Sequence, residues 1–344
     1  MINTLLAVAP ELVPLALVDS FIEFLHPSEL SRVLIDGLSK AAIYAMIAGG
    51  LTLIFGLMGV LNFAHGSLTM VGAYLGGAVM VLMVSSTTGP LARVAFFFVA
   101  VAVVFGALSA VGGALEVTLI RRLYDRPPIA QILLTFGLTL IIDELMRIIL
   151  EFYDIQPRAD WIAAWGTKPW FLSQRLSVGP ISVRGIALFE IVMGVLTVAG
   201  IWAFLTRTRY GLFIRAGSED SEMASALGID VRRVFTVVFA LGTGVAGIAG
   251  ALLMWDTHWG ASVPLGAETL LPAFVVVIIG GLGTFRGTVA AALLVGLVDA
   301  IMSWWFVNEI KFSGLPQLTI FLILVFVLIV RPQGLFGVEE VGGH

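Results

Sequence analysis

A helix that crosses a bilayer needs about 20 mostly apolar residues. Apolar runs of that order recur at residues 35–60, 67–84, 91–120, 129–150, 185–205, 234–255, 268–280 with its flanks, 288–307 and 315–330. Polar breaks separate them. Two are short: Leu61-Asn62-Phe63-Ala64-His65-Gly66, and Gly280-Gly281-Leu282-Gly283-Thr284-Phe285-Arg286-Gly287. Residues 85–90 read as a turn by composition. Longer polar segments fall at 121–128, 151–184 and 206–233, the last being the most charged stretch. The pattern predicts an all-α integral membrane protein, a polytopic helical bundle of about eight or nine transmembrane helices, some of them discontinuous.

Residues 1–34 are ambiguous. They are apolar at first but carry Pro10, Glu11 and Pro14, and no basic residue precedes Arg32. A signal peptide wants a basic start and a small-residue cleavage site. The expected organisation is an extracytoplasmic or interfacial segment over 1–34, with an extra span as the lesser alternative. A transmembrane domain over 35–337 and a cytoplasmic tail over 338–344 follow. Basic residues set orientation. With the amino terminus outside, Arg121, Arg122 and Arg126 fall inside, as do Arg207, Arg209, Arg215, Arg232, Arg233, Arg286 and Arg331. The outer set, including Arg158 and Lys168, is spread out and mixed with acids. This predicts N-out, C-in, with 206–233 as a cytoplasmic loop and 151–184 as an outer one.

Composition narrows the class. The chain has 344 residues, 59% of them hydrophobic and 12% charged. Soluble proteins are about a quarter charged, so a soluble enzyme is excluded. A net charge of −4 offers no footprint for nucleic acid. With no cysteine, disulfides and thiolate sites are excluded. No metal-ligand spacing or catalytic constellation exists, and no cofactor is expected. Lys40, Lys168 and Lys311 are the only lysines, and none follows a glycine, so the chain carries no P-loop of its own.

The loop 206–233 is the most informative feature. Ser218 is placed as an N-cap. Glu219 and Asp220 then fill a first turn, and Glu222 adds to the polar face. Gly228 is placed to end the helix. Met223, Ala226 and Leu227 make a short apolar face. A short helix over 218–227 is therefore expected on the cytoplasmic face.

Ionisable residues in spans are functional candidates. The i,i+4 spacing predicts that Asp36 pairs with Lys40 and Asp143 with Arg147. Glu116, before Arg121 and Arg122, can snorkel to the inner edge. Glu190 lies a turn or two into the fifth run. Asp299 stands unpaired near the middle of the eighth. A polar break between apolar runs must line a cavity or be buried in protein. Asn62, His65, Gly66, Gly281, Gly283 and Asp299 are thus candidates for a translocation pathway, His65 itself reading as a hydrogen-bonded structural residue. Gly242, Gly244 and Gly247 match a dinucleotide fingerprint, but inside an apolar run. Ala240, Gly244, Gly247 and Ala251 read as a packing stripe, as do Gly72 and Gly76. Trp161, Trp165, Trp170, Trp304 and Trp305 fit an interfacial belt.

The break at 61–66, the loop at 206–233 and the glycine-rich break at 280–287, in that order, resemble the permease subunits of branched-chain amino acid ABC importers. The match is to the first of the two paired permeases and covers about residues 35–337. The resemblance implies a second permease subunit, a paralogue, in the same lipid membrane. It also implies two cytoplasmic ATPase subunits, an extracytoplasmic substrate-binding protein, and a bacterial or archaeal cell membrane. The helix over 218–227 is similar to the segment that docks into the ATPase. The competing reading is a stand-alone secondary transporter or channel for a small polar solute. That reading predicts several paired charges at mid-membrane for ion coupling.

Overall fold

The computed structural model describes residues 22–85, 87–124, 126–157, 161, 169–179, 181–256, 259–308 and 315–337. The readings of residues 1–21, Arg158, Trp165, Lys168, Lys311 and the tail 338–344 lie outside them. Helix α1 (Pro27–Met58) is followed by α2 (Ala64–Met83), α3 (Pro90–Thr118) and a 3-10 turn (Ile120–Leu123). Helix α4 (Pro128–Phe152) leads to a short α5 (Trp170–Ser173) and a hairpin of β1 (Arg175–Val178) and β2 (Ile181–Arg184). Then come α6 (Gly185–Arg207), α7 (Arg209–Glu219), α8 (Ser221–Ala226), α9 (Val231–Leu253), α10 (Leu265–Gly280), α11 (Phe285–Asn308) and α12 (Leu315–Val330).

Local chemistry explains several boundaries. Prolines occupy the first turn of α1, α3 and α4, where their missing N–H costs no helix bond. Asp230 caps α9 by accepting from Arg233 N at 3.1 Å. The apolar runs and the helices agree closely, save that α1 begins at Pro27, well before its apolar run. Among the described residues, six helices are long and apolar enough to cross a membrane: α1, α2, α3, α6, α9 and α11. Helix α10 and the later part of α12 are shorter apolar helices. Helix α4 has 25 residues and carries Asp143, Glu144 and Arg147 in its second half. The hairpin, with Arg175 opposite Arg184, has no counterpart in the sequence reading, which treated 151–184 only as polar.

Helices α1 and α9 hold the centre. Helix α9 packs against α3, α2 and α1, while α1 also packs against α11 and α6. The approach is close because the facing residues are small. A Cβ at Gly250 would collide with the Thr69 carbonyl oxygen, and one at Gly72 would lie 2.6 Å from Gly247 Cα. Gly76 faces Ala251, and Gly244 faces Ser109 and Phe105. The glycines of α9 are thus a packing stripe, as membrane helices use where lipid gives no hydrophobic drive. Large apolar side chains of α4, α6 and α12, among them Phe136, Leu196 and Phe326, are exposed outward.

The bundle has two distinct ends. At one, Gly56 meets Gly283, Leu57 meets Gly217, and Arg121 bonds Thr236. This end gathers both short breaks and the basic loops. At the other end, Arg184 pairs with Asp36 at 2.9 Å, and Trp304 donates to Glu29 at 3.0 Å.

Tertiary contact rearranges the expected ion pairs. Lys40 reaches across to Asp299 at 2.6 Å instead of binding Asp36. Asp299 is therefore paired, and Tyr44 donates to the same carboxylate oxygen at 3.3 Å. Asp143 accepts from Ser67 at 2.6 Å, while Arg147 turns to Glu144 at 3.6 Å. In each case a partner on another helix, or one residue nearer, meets the charge better than the i,i+4 neighbour. Glu116 does not snorkel. It is fully buried and bound by Arg121, Thr236 and Tyr124. Trp161 is no belt residue either. It is buried, edge-on to Tyr74 at 5.9 Å and lying against Gly77. Trp304 is buried against Phe24; Trp170 is exposed.

Candidate functional site

The segment from Thr208 to Asp230 folds as two helices, not one. Thr208 caps α7 by accepting from Gly211 N at 3.0 Å. Ser218, expected as the cap of the short helix, instead lies inside α7, and its hydroxyl donates back to Arg215 O at 2.9 Å. Glu219 ends α7. The cap of α8 is Asp220, extended at φ −154° and ψ 100°, accepting from Met223 N at 2.8 Å. Asp and Ser cap about equally well, so spacing alone did not choose between them. The amphipathic α7 decides it: Ile214 and Gly217 are buried against the end of α1 and the start of α9, which carries helix geometry past Ser218. Glu222 lies in the first turn of α8, and Gly228, at φ 86°, follows its end.

Large apolar side chains are held outward at α8. Met223 is 58% exposed and Leu227 77%, and Ala226 is exposed beside them. Ser218, Glu219, Asp220, Glu222 and Gly228 are exposed as well. Only Ala224 of α8 is buried. Met223 and Leu227 thus stand outward on and just after a capped helix, with Glu219, Asp220 and Glu222 exposed around them.

A buried polar cluster lies where the end of α3 meets α9. Glu116 accepts from Arg121 at 2.8 Å, from Thr236 at 2.7 Å and from Tyr124 at 2.5 Å. It ties the end of α3 to the first turns of α9. Burial, together with the hydrogen bond and charge of Glu116, pushes the Tyr124 phenol well above its ordinary range. Sequence reasoning found Glu116 and Arg121 but missed Tyr124 and Thr236, which nothing in the local spacing marks.

The pathway candidates are placed differently. Asn62 is buried, and its Oδ1 accepts from Ala64 N at 3.1 Å, stabilising the start of α2. His65 is fully buried with Nε2 at 3.0 Å from Ile47 O. A Cβ at Gly66 would collide with Gly266 O, so α2 and α10 touch there. Gly281 and Gly283 have φ 97° and 82°, which side chains rarely tolerate. The carboxyl-terminal segment docks on this break, Leu335 N donating to Ile279 O at 2.7 Å and Phe336 N to Gly280 O at 3.1 Å. Asp299 lies beside a cavity, whose lining includes its partners Lys40 and Ser303.

Long apolar helices and close glycine packing define a multi-pass membrane protein. Residues 33–330 match the family described as branched-chain amino acid transport system / permease component, and the chain belongs to that family. Its members are permease subunits, not themselves enzymes. The chain is 26% identical over 309 residues to the high-affinity branched-chain amino acid transport system permease protein LivH of Escherichia coli K12, covering 89% of this chain and 95% of that one. It is 28% identical over 316 residues to BraD of Pseudomonas aeruginosa, a permease protein of the same description, covering 90% and 96%. A probable branched-chain amino acid transport permease protein LivH from Methanocaldococcus jannaschii is 25% identical, covering 88% and 92%. No solved structure gives a significant match.

Proposed function

We propose that this chain is the membrane-spanning permease subunit of an ATP-binding cassette importer for branched-chain amino acids or closely related small amino acids. It works beside a second permease subunit, with an extracytoplasmic binding protein delivering substrate. Two separate ATPase subunits dock on α7–α8, and the amino terminus lies outside. The observation that carries the docking assignment is the outward apolar pair Met223 and Leu227 on a capped helix. Helix α7 links that pair to Leu57 of α1 and Val234 of α9, the two central helices. Closure of the ATPases moves α8, and α7 transmits the motion to the spans.

The test is co-expression with the candidate permease and ATPase partners. The expected result is that ATPase co-purifies with the native chain and is lost from Met223→Lys/Leu227→Lys and from Glu219→Lys/Glu222→Lys. All four side chains are exposed, so the fold survives these changes. Equal ATPase recovery from native and variant chains would overturn the docking assignment.

A further inference from the structure

An apolar groove of about 530 Å³ runs between α1, α6 and α11. Small residues leave the space: Ala41, Ala42 and Ala45 of α1 and Gly194 of α6 all line it. A Cβ at Gly194 would lie 2.5 Å from that of Ala42, so α1 and α6 approach closely there. Along α6 the lining extends from Ile191 to Trp202, about 16 Å at the helical rise of 1.5 Å per residue. Val195, Trp202 and Leu293 in the lining are exposed, so the groove opens on the outside of the bundle.

One end of the groove differs. Arg286, in the first turn of α11, is the one charged residue in the lining among the described residues. Its guanidinium lies over the Trp202 ring, 4.9 Å from the centroid. That cation–π contact holds the charge beside the apolar surface instead of leaving it to swing freely. The neighbouring chain repeats the sign. Arg207 and Arg209 end α6 and begin α7, and no Asp or Glu occurs over residues 191–218 or 269–298.

An exposed arginine alone would call for no ligand. Here the charge is contiguous with a long apolar groove, beside a tryptophan of the kind that marks the membrane interface. That combination matches an amphiphile with a hydrocarbon chain and an anionic head, and basic pockets between membrane helices take such head groups. A protein occupant matches less well, because it would bury Arg286 in an apolar contact and would have to bring its own carboxylate. A phospholipid carries its phosphate with it.

We infer that this groove is a binding site for an anionic phospholipid, one acyl chain lying along Ala42, Gly194 and Val198 and the phosphate meeting Arg286 beside Trp202. The inference does not depend on which solute the permease carries.

The test titrates the full chain, purified in detergent, with phosphatidylglycerol or with phosphatidylcholine of identical acyl chains, and counts bound lipid by native mass spectrometry. Phosphatidylcholine has the same tail and phosphate, but its choline cation cancels the net charge. The expected result is one equivalent of phosphatidylglycerol held about tenfold more tightly than phosphatidylcholine, the effect of one charged contact. Arg286→Gln should bring the two lipids level, whereas Arg126→Gln, exposed but outside the groove, should keep the preference. Val195→Trp, which fills the groove from an exposed position, should expel the tightly held lipid. All three substituted residues are exposed, so the fold survives. Equal retention of the two lipids by the native chain would overturn the inference, as would a preference that survives Arg286→Gln. Tight binding that persists in Val195→Trp would place the lipid outside the groove and overturn it as well. The assembled transporter supplies the last arm, with phosphatidylglycerol carrying a photoreactive group in its acyl chain. Labelling of α6 and α11 in the complex supports the site. Labelling in the isolated chain that disappears in the complex would mean that the second permease subunit covers the groove, and the lipid site would fall.

Discussion

Asp299 illustrates how little a charge in a span says until its partner is known. It is 4% exposed, and Lys40, whose side chain is 30% exposed, answers it at 2.6 Å. Removing one member of a buried pair strands the other and costs about 3–5 kcal/mol; the access of Lys40 to water lowers that to about 1–3 kcal/mol. Asp299→Asn should therefore lower the melting temperature in detergent, and Lys40→Met added to it should restore most of the loss. An unchanged melting temperature in Asp299→Asn would show that the pair contributes nothing net. Glu116 is the stricter case, because it is fully buried and accepts four hydrogen bonds from three side chains. Glu116→Ala should destabilise more than Asp299→Asn in the same assay. These pairings were hidden because sequence spacing reaches only partners on the same helix. Lys40 and Asp299 are far apart in sequence, and only the crossing of α1 and α11 brings them together.

Helices and their glycines behave more predictably. The small-residue stripe of α9 was readable from its spacing, and the structure puts it against α2 and α3. Gly250→Ala would drive a methyl into the Thr69 carbonyl and part α9 from α2. Overpacking of this kind costs about 1–3 kcal/mol. Gly106 and Gly137 have open space where a Cβ would go. Gly137→Ala should leave the melting temperature unchanged or raise it, since alanine is the better helix former. Equal losses from Gly250→Ala and Gly137→Ala would remove the argument for close packing. The short helix of the charged loop was also legible, but shifted. Its acidic residues and the glycine at its end were visible, while its cap moved from Ser218 to Asp220 because burial of Ile214 and Gly217 extends α7. Asp220→Ala should cost about 1 kcal/mol of local helix stability. Hydrogen exchange at Met223 and Ala224 should then quicken, with the spans unaffected.

For the molecule as a whole, hydropathy marked the apolar helices and their limits, but of the eight or nine spans it led one to expect, six among the described residues are long and apolar enough to cross a membrane. Backbone groups in lipid must be satisfied within a helix, so length and apolarity translate directly into spans. The family was legible too, because it rests on contiguous motifs: the break at 61–66, the charged loop and the glycine-rich break, all within the matched residues 33–330. Which helices form the centre was not legible. Helices α1 and α9 are no more apolar than α3, and only packing distinguishes them. Nor was the hairpin, whose alternating residues are too few to stand out. The groove was hidden for the same reason as the ion pairs. Ala42, Gly194, Trp202 and Arg286 come from three helices, each unremarkable in its own segment. Periodicity and composition act along the chain and therefore settle what a segment is. A binding site is a convergence across the chain, and it exists only once the helices have crossed.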